Sequence, residues 1–156
     1  MKNYIKRSYF KFKRKYHEFS GGNCAVLLYH RVTTLSSDPQ LLSVTPENFD
    51  LQLSWIKKNH AVLSIDEFLF HLERKIKFPS KSVVLTFDDG YADNYYEALQ
   101  VLEKYNYQAL FYIATATINT TAEFWWDAVE RIMLDNKNAP NQKNITIEQV
   151  TFELEK

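Results

Sequence analysis

The sequence predicts an α/β fold with parallel strand pairing, and three observations carry the prediction. Short apolar runs, "AVLLYH" (Ala25 to His30), "AVL" (Ala61 to Leu63), "KSVVLTF" (Lys81 to Phe87) and "QALFYIAT" (Gln108 to Thr115), alternate with stretches of helical periodicity. The last two runs and the helix between them fit the ~30 residues of a βαβ unit, which requires parallel strands and a right-handed crossover. At 156 residues, 46% hydrophobic and 15% aromatic, the chain is long enough for one domain with a real core. The order β-α-β-α-β-α-β therefore argues for an α/β sheet or barrel.

Each element has its own signal. Residues 1–22 form a basic, aromatic arm: residues 1–16 hold seven Lys/Arg and no acid, interleaved with Tyr4, Ile5, Tyr9, Phe10, Phe12 and Tyr16, and the rest of a formally neutral chain is net negative by seven. Such an arm suits an anionic membrane surface, or it is a solvated tail. With no basic excess elsewhere, nucleic acid is not expected as a partner. From residue 23 to 156 the chain reads as a single domain. "AVLLYH" follows Gly21 and Gly22 and reads as a buried strand entering the loop "RVTTLSSDPQ". Cys24, the single cysteine, excludes an internal disulfide and reads as a small buried hydrophobe beside that strand.

Thr45 and Pro46 place a cap and a first-turn proline before Phe49, Leu53 and Ile56, so a helix is predicted from there to about Asn59. "SIDE" (Ser64 to Glu67) is a capping-box pattern ahead of Phe68, Leu69 and Leu72, which predicts a second helix to about Arg74. "KSVVLTF" shows too little alternation for a half-exposed edge, so both of its faces should be covered. Asp93 is read as the N-cap of a third helix whose stripe, Tyr95, Ala98, Leu99, Leu102 and Tyr105, ends at Asn106. "FWWDAVERIML" (Phe124 to Leu134) has helical spacing, and Trp125 and Trp126 read first as core residues and second as sugar-stacking platforms. "DNKNAPNQKN" is read as a polar loop, and the final "ITIEQVTFELEK" is left unassigned.

The chemistry concentrates at "TFDDG". In parallel α/β architectures the residues just beyond the C-terminal strand ends face the ligand crevice, and Asp88 and Asp89 stand there on the strongest strand. Two readings follow. The Asp-Asp-Gly run is a turn capping the next helix, or it is a metal site in which one carboxylate binds a cation and its neighbour moves a proton. Gly90 permits a tight turn or close backbone approach in either case. His30, at the end of the first strand, would face the same crevice and is a candidate for substrate contact, against the plainer reading of a hydrogen-bonded strand-end histidine. His60 and His71 are read as surface residues. A magnesium-dependent phosphohydrolase would also use two hard oxygen ligands, but the chain offers no glycine-rich phosphate cradle near them.

"VVLTFDDGYADNYYEALQVLEKYNYQALFYIAT" resembles the first signature of the polysaccharide deacetylases that carry a NodB-homology domain, and "LLYHRV", "VTPENFDLQLSWIKKNHAVLSIDEF" and "FWWD" are similar to a bacterial branch of that family. The resemblance covers roughly residues 25–134. Asn106 stands where the family usually has glycine, a tolerable change because Asn accepts the left-handed geometry of a helix C-terminus, and Gln108 stands where proline is common. The resemblance implies an irregular (β/α) barrel and a zinc-dependent hydrolase of carbon–nitrogen amide bonds that removes N-acetyl groups from amino sugars of a surface polysaccharide or glycolipid. By position it makes Asp88 the general base and Asp89 a metal ligand.

The family site also needs a His-x-x-x-His pair, and His17, His30, His60 and His71 offer no such spacing. The chain is therefore expected to be the N-terminal part of such a domain, with an incomplete barrel, weak zinc binding and negligible turnover by itself. The alternative is a non-catalytic carbohydrate- or partner-binding module in which "FDDG" survives as turn chemistry. No apolar run approaches the ~20 residues of a membrane span and no signal peptide is evident, which points to a cytoplasmic or membrane-peripheral location, although relatives often act at the cell envelope.

Overall fold

The computed structural model describes residues 22–134, 142–147 and 150–155. The basic arm lies outside these residues except for Gly22. The chain divides into two compact units, 1–114 and 115–156.

The first unit is a four-stranded parallel sheet with helices on its connections. Its central strand is β5 (Ser82–Phe87), preceded in the chain by β1 (Cys24–Tyr29), β2 (Arg31–Val32), β3 (Ser43–Val44) and β4 (Ala61–Val62), and followed by β6 (Leu110–Phe111). β1 pairs with β5 over all six residues, from Cys24 opposite Ser82 to Tyr29 opposite Phe87. One edge of β5 is thus filled, and the other is shared: β4 pairs at Ser82 and Val83, and β6 at Thr86 and Phe87. Every residue of β5 is buried, as its lack of alternation requires.

Successive strand residues face opposite ways, and the odd-numbered set of β5, Val83, Leu85 and Phe87, enters the core. Helix α1 (Pro46–Asn59) meets that face through Phe49, Leu53 and Ile56, the expected stripe, and its end is set by Thr45, whose side chain accepts from the Asn48 amide. Helix α3 (Leu99–Tyr105) adds Leu102, joined by Ala98 from the turn before it. Asn106 closes α3 in the left-handed region at φ 54°, ψ 45°, as the sequence suggests. Helix α2 (Ile65–Glu73) opens on a complete Ser64/Glu67 capping box.

The structure corrects several expectations. β1 is not a buried strand, because Val26 and Leu28 on its even-numbered face are 53% and 54% exposed. Cys24 lies within this strand and is half-buried, and the partial burial raises its thiol pKa. α2 buries none of its residues. The run 108–115 forms a strand only at Leu110 and Phe111, after which Tyr112 and Ile113 are exposed. The loop after β1 contains the short parallel pair β2–β3, in which Arg31 faces Ser43 and Val32 faces Val44. The expected incomplete barrel is matched in its parallel α/β part, and among the described residues the sheet is open.

The second unit contains helix α4 (Trp125–Met133) and an antiparallel pair, β7 (Gln142–Ile147) and β8 (Val150–Glu155). The pair supplies structure to the unassigned C-terminal run and takes residues 142–144 out of the expected polar loop, whose residues 135–141 lie outside the described ones. Trp125 is 72% exposed, so it is not a core residue. Trp126 is half-buried and stacks on Phe124 with ring centroids 4.7 Å apart.

Candidate functional site

The candidate site grows out of the C-terminal end of β5. Beneath it lies an aromatic cluster: Phe87 stacks on Tyr29 at 5.3 Å and on Phe111 at 4.8 Å, and Phe49 meets Tyr29 and Phe87 edge-on. These rings are interlocked by geometry as well as by buried area, so the strand end is a rigid base for whatever follows it. The Asp88 amide donates to the Tyr29 carbonyl at 2.9 Å, continuing the β1–β5 ladder by one residue. That continuation brings His30, the residue after Tyr29, to the same sheet edge as Asp88. Both aspartates and His30 are half-buried.

The loop then turns sharply. The Gly90 amide donates to the Asp88 carbonyl at 2.9 Å across Asp89, whose φ is +70°. A bond from residue i+2 to residue i with a positive central φ is the less common, strained form of γ-turn, and a non-glycine residue in that region costs about 1–3 kcal/mol. The strain is held by neighbours: the Ala114 amide donates to the Asp89 carbonyl and the Tyr112 amide to that of Phe87. Gly90 itself has φ +77°, and a Cβ there would lie 2.9 Å from Ile113 Cδ1. The glycine is favoured twice, by backbone conformation and by the closeness of Ile113 in the segment after β6.

Sequence reasoning missed a second layer. Asp93 makes no side-chain cap. Its carboxylate reaches across to the β1–β2 junction, where Arg31 Nε donates at 2.9 Å and the Val32 amide at 3.1 Å. The Arg31 guanidinium also lies 4.4 Å from the centre of the Tyr91 ring. The loop that begins at His30 and the loop that carries Asp88 and Asp89 are thereby fastened together by a largely buried ion pair, a charge-assisted backbone bond and a cation–π contact. The helix after Asp93 opens with a π turn (Asn94–Ala98). Such turns often mark functional sites. Asn94, at its start, is buried with both side-chain amide atoms unpartnered among the described residues. An acid three residues beyond the Asp-Asp-Gly turn and a basic residue after a strand-end histidine were the available signals, but nothing local tied one to the other.

His60 and His71 stay away from this edge. The His71 ring nitrogen Nδ1 is 2.9 Å from the Lys77 carbonyl and the ring stacks on Phe78, while His60 packs on Trp55. Neither is a plain surface residue, and His60 Nδ1 is buried with no partner among the described residues. No group of three or more His, Cys, Asp or Glu side chains among the described residues is placed to hold a metal ion. Asp88 and Asp89 offer two adjacent hard-oxygen donors, fewer than an all-protein divalent site uses, so these residues do not by themselves fit a resident zinc.

Residues 75–139 match the polysaccharide deacetylase family. Over that stretch the chain is similar to the polysaccharide deacetylases. The poly-beta-1,6-N-acetyl-D-glucosamine N-deacetylase of Staphylococcus aureus (strain MSSA476) is 33% identical over 119 residues, covering 68% of this chain and 40% of that protein. Among solved structures, IcaB from Ammonifex degensii superposes with a TM-score of 0.59 at 29% identity, over 66% of this chain and 43% of that one. Streptococcus pyogenes deacetylase PplD, solved in complex with acetate, gives a TM-score of 0.54 at 28% identity, over 65% and 47%. The chain spans about two fifths of the length of the curated N-deacetylase it matches. No helix among the described residues is long and apolar enough to cross a membrane.

Proposed function

We propose that the chain supplies the base-bearing part of a deacetylase that removes N-acetyl groups from the amino sugars of a polysaccharide, and that its open sheet is one section of a (β/α) barrel. The observation that carries the reading is the strained turn at Asp88–Gly90, built on a rigid aromatic base at the strand edge where a parallel α/β fold binds ligands. A family match and N-deacetylase relatives support it. In this reading Asp88 accepts the proton of the attacking water, and Asp89 contributes one carboxylate to a divalent-metal site, zinc by the family resemblance. His30 lies along the sugar bound at the same edge.

The chemistry is hydrolysis of an amide. Water adds to the acetyl carbon, the carbon–nitrogen bond breaks, acetate leaves, and the sugar nitrogen takes a proton to become a free amine. Asp88 stands half-buried at the strand edge, where the attacking water needs a proton acceptor. The histidine ligands that the family site requires have no counterpart of the right spacing in these 156 residues, so we expect the chain alone to bind zinc weakly and to release no acetate. The basic arm would serve attachment to an anionic surface near the polymer.

A graft tests the proposal. Residues 25–134 of this chain replace the matching segment of the S. aureus N-deacetylase, and acetate release from N-acetylglucosamine oligomers is measured. Turnover that is lost in Asp88→Asn supports the reading. A folded graft without activity favours instead the non-catalytic carbohydrate- or partner-binding module.

A further inference from the structure

Beside α1 lies an open groove of about 590 Å³ that no part of the proposed chemistry uses. Its volume falls within the ~300–1,000 Å³ usual for ligand sites. Its wall is one stripe of the helix: Asn48, Gln52 and Trp55 follow one another at helical spacing and lie beside the buried stripe of Phe49, Leu53 and Ile56. The floor includes Leu27 of β1, and one end is formed by Ser43 and Thr45. None of the nine lining residues is charged.

Three features set the chemistry of an occupant. Trp55 is 58% exposed even though its ring also packs on His60 at 4.9 Å, so a large part of the indole stands in water at the groove. The Gln52 side chain is fixed by the Tyr29 hydroxyl, which donates to its Oε1 at 2.9 Å, leaving the Nε2 donors uncommitted among the described residues. At Asn48 only the backbone amide is engaged, by Thr45 Oγ1, so a full side-chain amide remains uncommitted among them. An aromatic face flanked by neutral amides, with no charged residue in the lining itself, matches a pyranose ring. The C–H face of the sugar is electropositive against the indole quadrupole, and an N-acetyl group offers one N–H and one C=O to an amide side chain. An anionic polymer or an acidic peptide would find no counter-charge there.

We propose that this groove is a second glycan site, a holding subsite for a neutral N-acetylated amino-sugar oligomer. The inference rests on the reading of the chain as directed at such polymers. Its placement suits that role: Ser43, at one end of the groove, pairs with Arg31, the residue after His30, so the groove begins one strand away from the candidate site edge. A polymer engaged at that edge could continue along α1.

The test is calorimetric titration of the full chain with a β-1,4-linked N-acetylglucosamine hexamer in the presence of EDTA, where no metal-dependent step contributes. Binding should weaken at least tenfold in Trp55→Ala and several-fold in Asn48→Ala, and should be unchanged in Trp125→Ala. All three side chains are largely exposed, so the variants should keep the wild-type melting temperature. Unchanged binding in Trp55→Ala, or no binding by the wild type, overturns the subsite. So does a wild-type dimer in sedimentation that Trp55→Ala converts to monomer, because the groove would then be an interface between copies. Loss of turnover in the grafted enzyme with Trp55-dependent hexamer binding intact would count against the deacetylase reading alone.

Discussion

At the scale of single residues, the turn at Asp88–Gly90 is where local geometry and proposed chemistry coincide. The two carboxylates were legible in the sequence as a strand-end pair, but the positive φ at Asp89 was not, since a non-glycine residue enters that region only when neighbours hold it there. Gly90→Ala adds a methyl 2.9 Å from Ile113 and forces a side chain into positive φ. We expect it to destabilise the fold by about 1–3 kcal/mol, measured as a lower denaturant midpoint. Asp93 shows where reading a residue by its neighbours in sequence fails. It looked like a helix cap, yet its bonds run to Arg31 and Val32, some sixty residues earlier. Asp93→Ala would leave the Val32 amide and a mostly buried guanidinium without their acceptor, at a cost of about 2–4 kcal/mol in chemical denaturation. Asp93→Asn, which can still accept one bond, should cost less.

At the scale of elements, the signals that act locally were readable and those that depend on distant partners were not. The caps at Thr45 and Ser64 and the terminator at Asn106 appear as the sequence implies. β6 came out much shorter than its apolar run, pairing only with the last two residues of β5. The β2–β3 pair was invisible, since two-residue strands carry no periodicity. Ser64→Ala removes the oxygen that accepts from the Glu67 amide and the hydroxyl that donates to its carboxylate, and should cost about 1 kcal/mol of thermal or chemical stability. Its pH dependence has a definite sign. Hydrogen bonds from the Ser64 backbone and then its side chain hold the Glu67 pKa below the usual glutamate value. A depressed carboxylate pKa stabilises the fold above the unfolded value of about 4.3 and loses that contribution as pH falls through the folded value. The gap between wild type and Ser64→Ala should therefore narrow as pH is lowered from 6 toward 3.

At the scale of the whole molecule, the alternating order of strands and helices was enough to give a parallel α/β sheet, and the structure puts β5 at its centre. Burial was harder to read. Apolar content alone made β1 look like β5, but β5 is flanked on both edges and covered on both faces, whereas the even-numbered face of β1 carries exposed Val26 and Leu28. Exposed apolar side chains in a row on a strand invite association. The double variant Val26→Thr, Leu28→Thr should keep a cooperative melt and reduce concentration-dependent association in sedimentation velocity. Leu53→Ala, at a fully buried position, should cost about 2–5 kcal/mol.

The most direct test of the central claim separates the roles given to the two aspartates. In the grafted enzyme, metal content and acetate release are measured side by side for Asp88→Asn and Asp89→Asn. The account predicts that Asp88→Asn keeps its bound metal and loses turnover by two or more orders of magnitude, while Asp89→Asn loses both. Full turnover in Asp88→Asn, or unchanged metal content in Asp89→Asn, would contradict it.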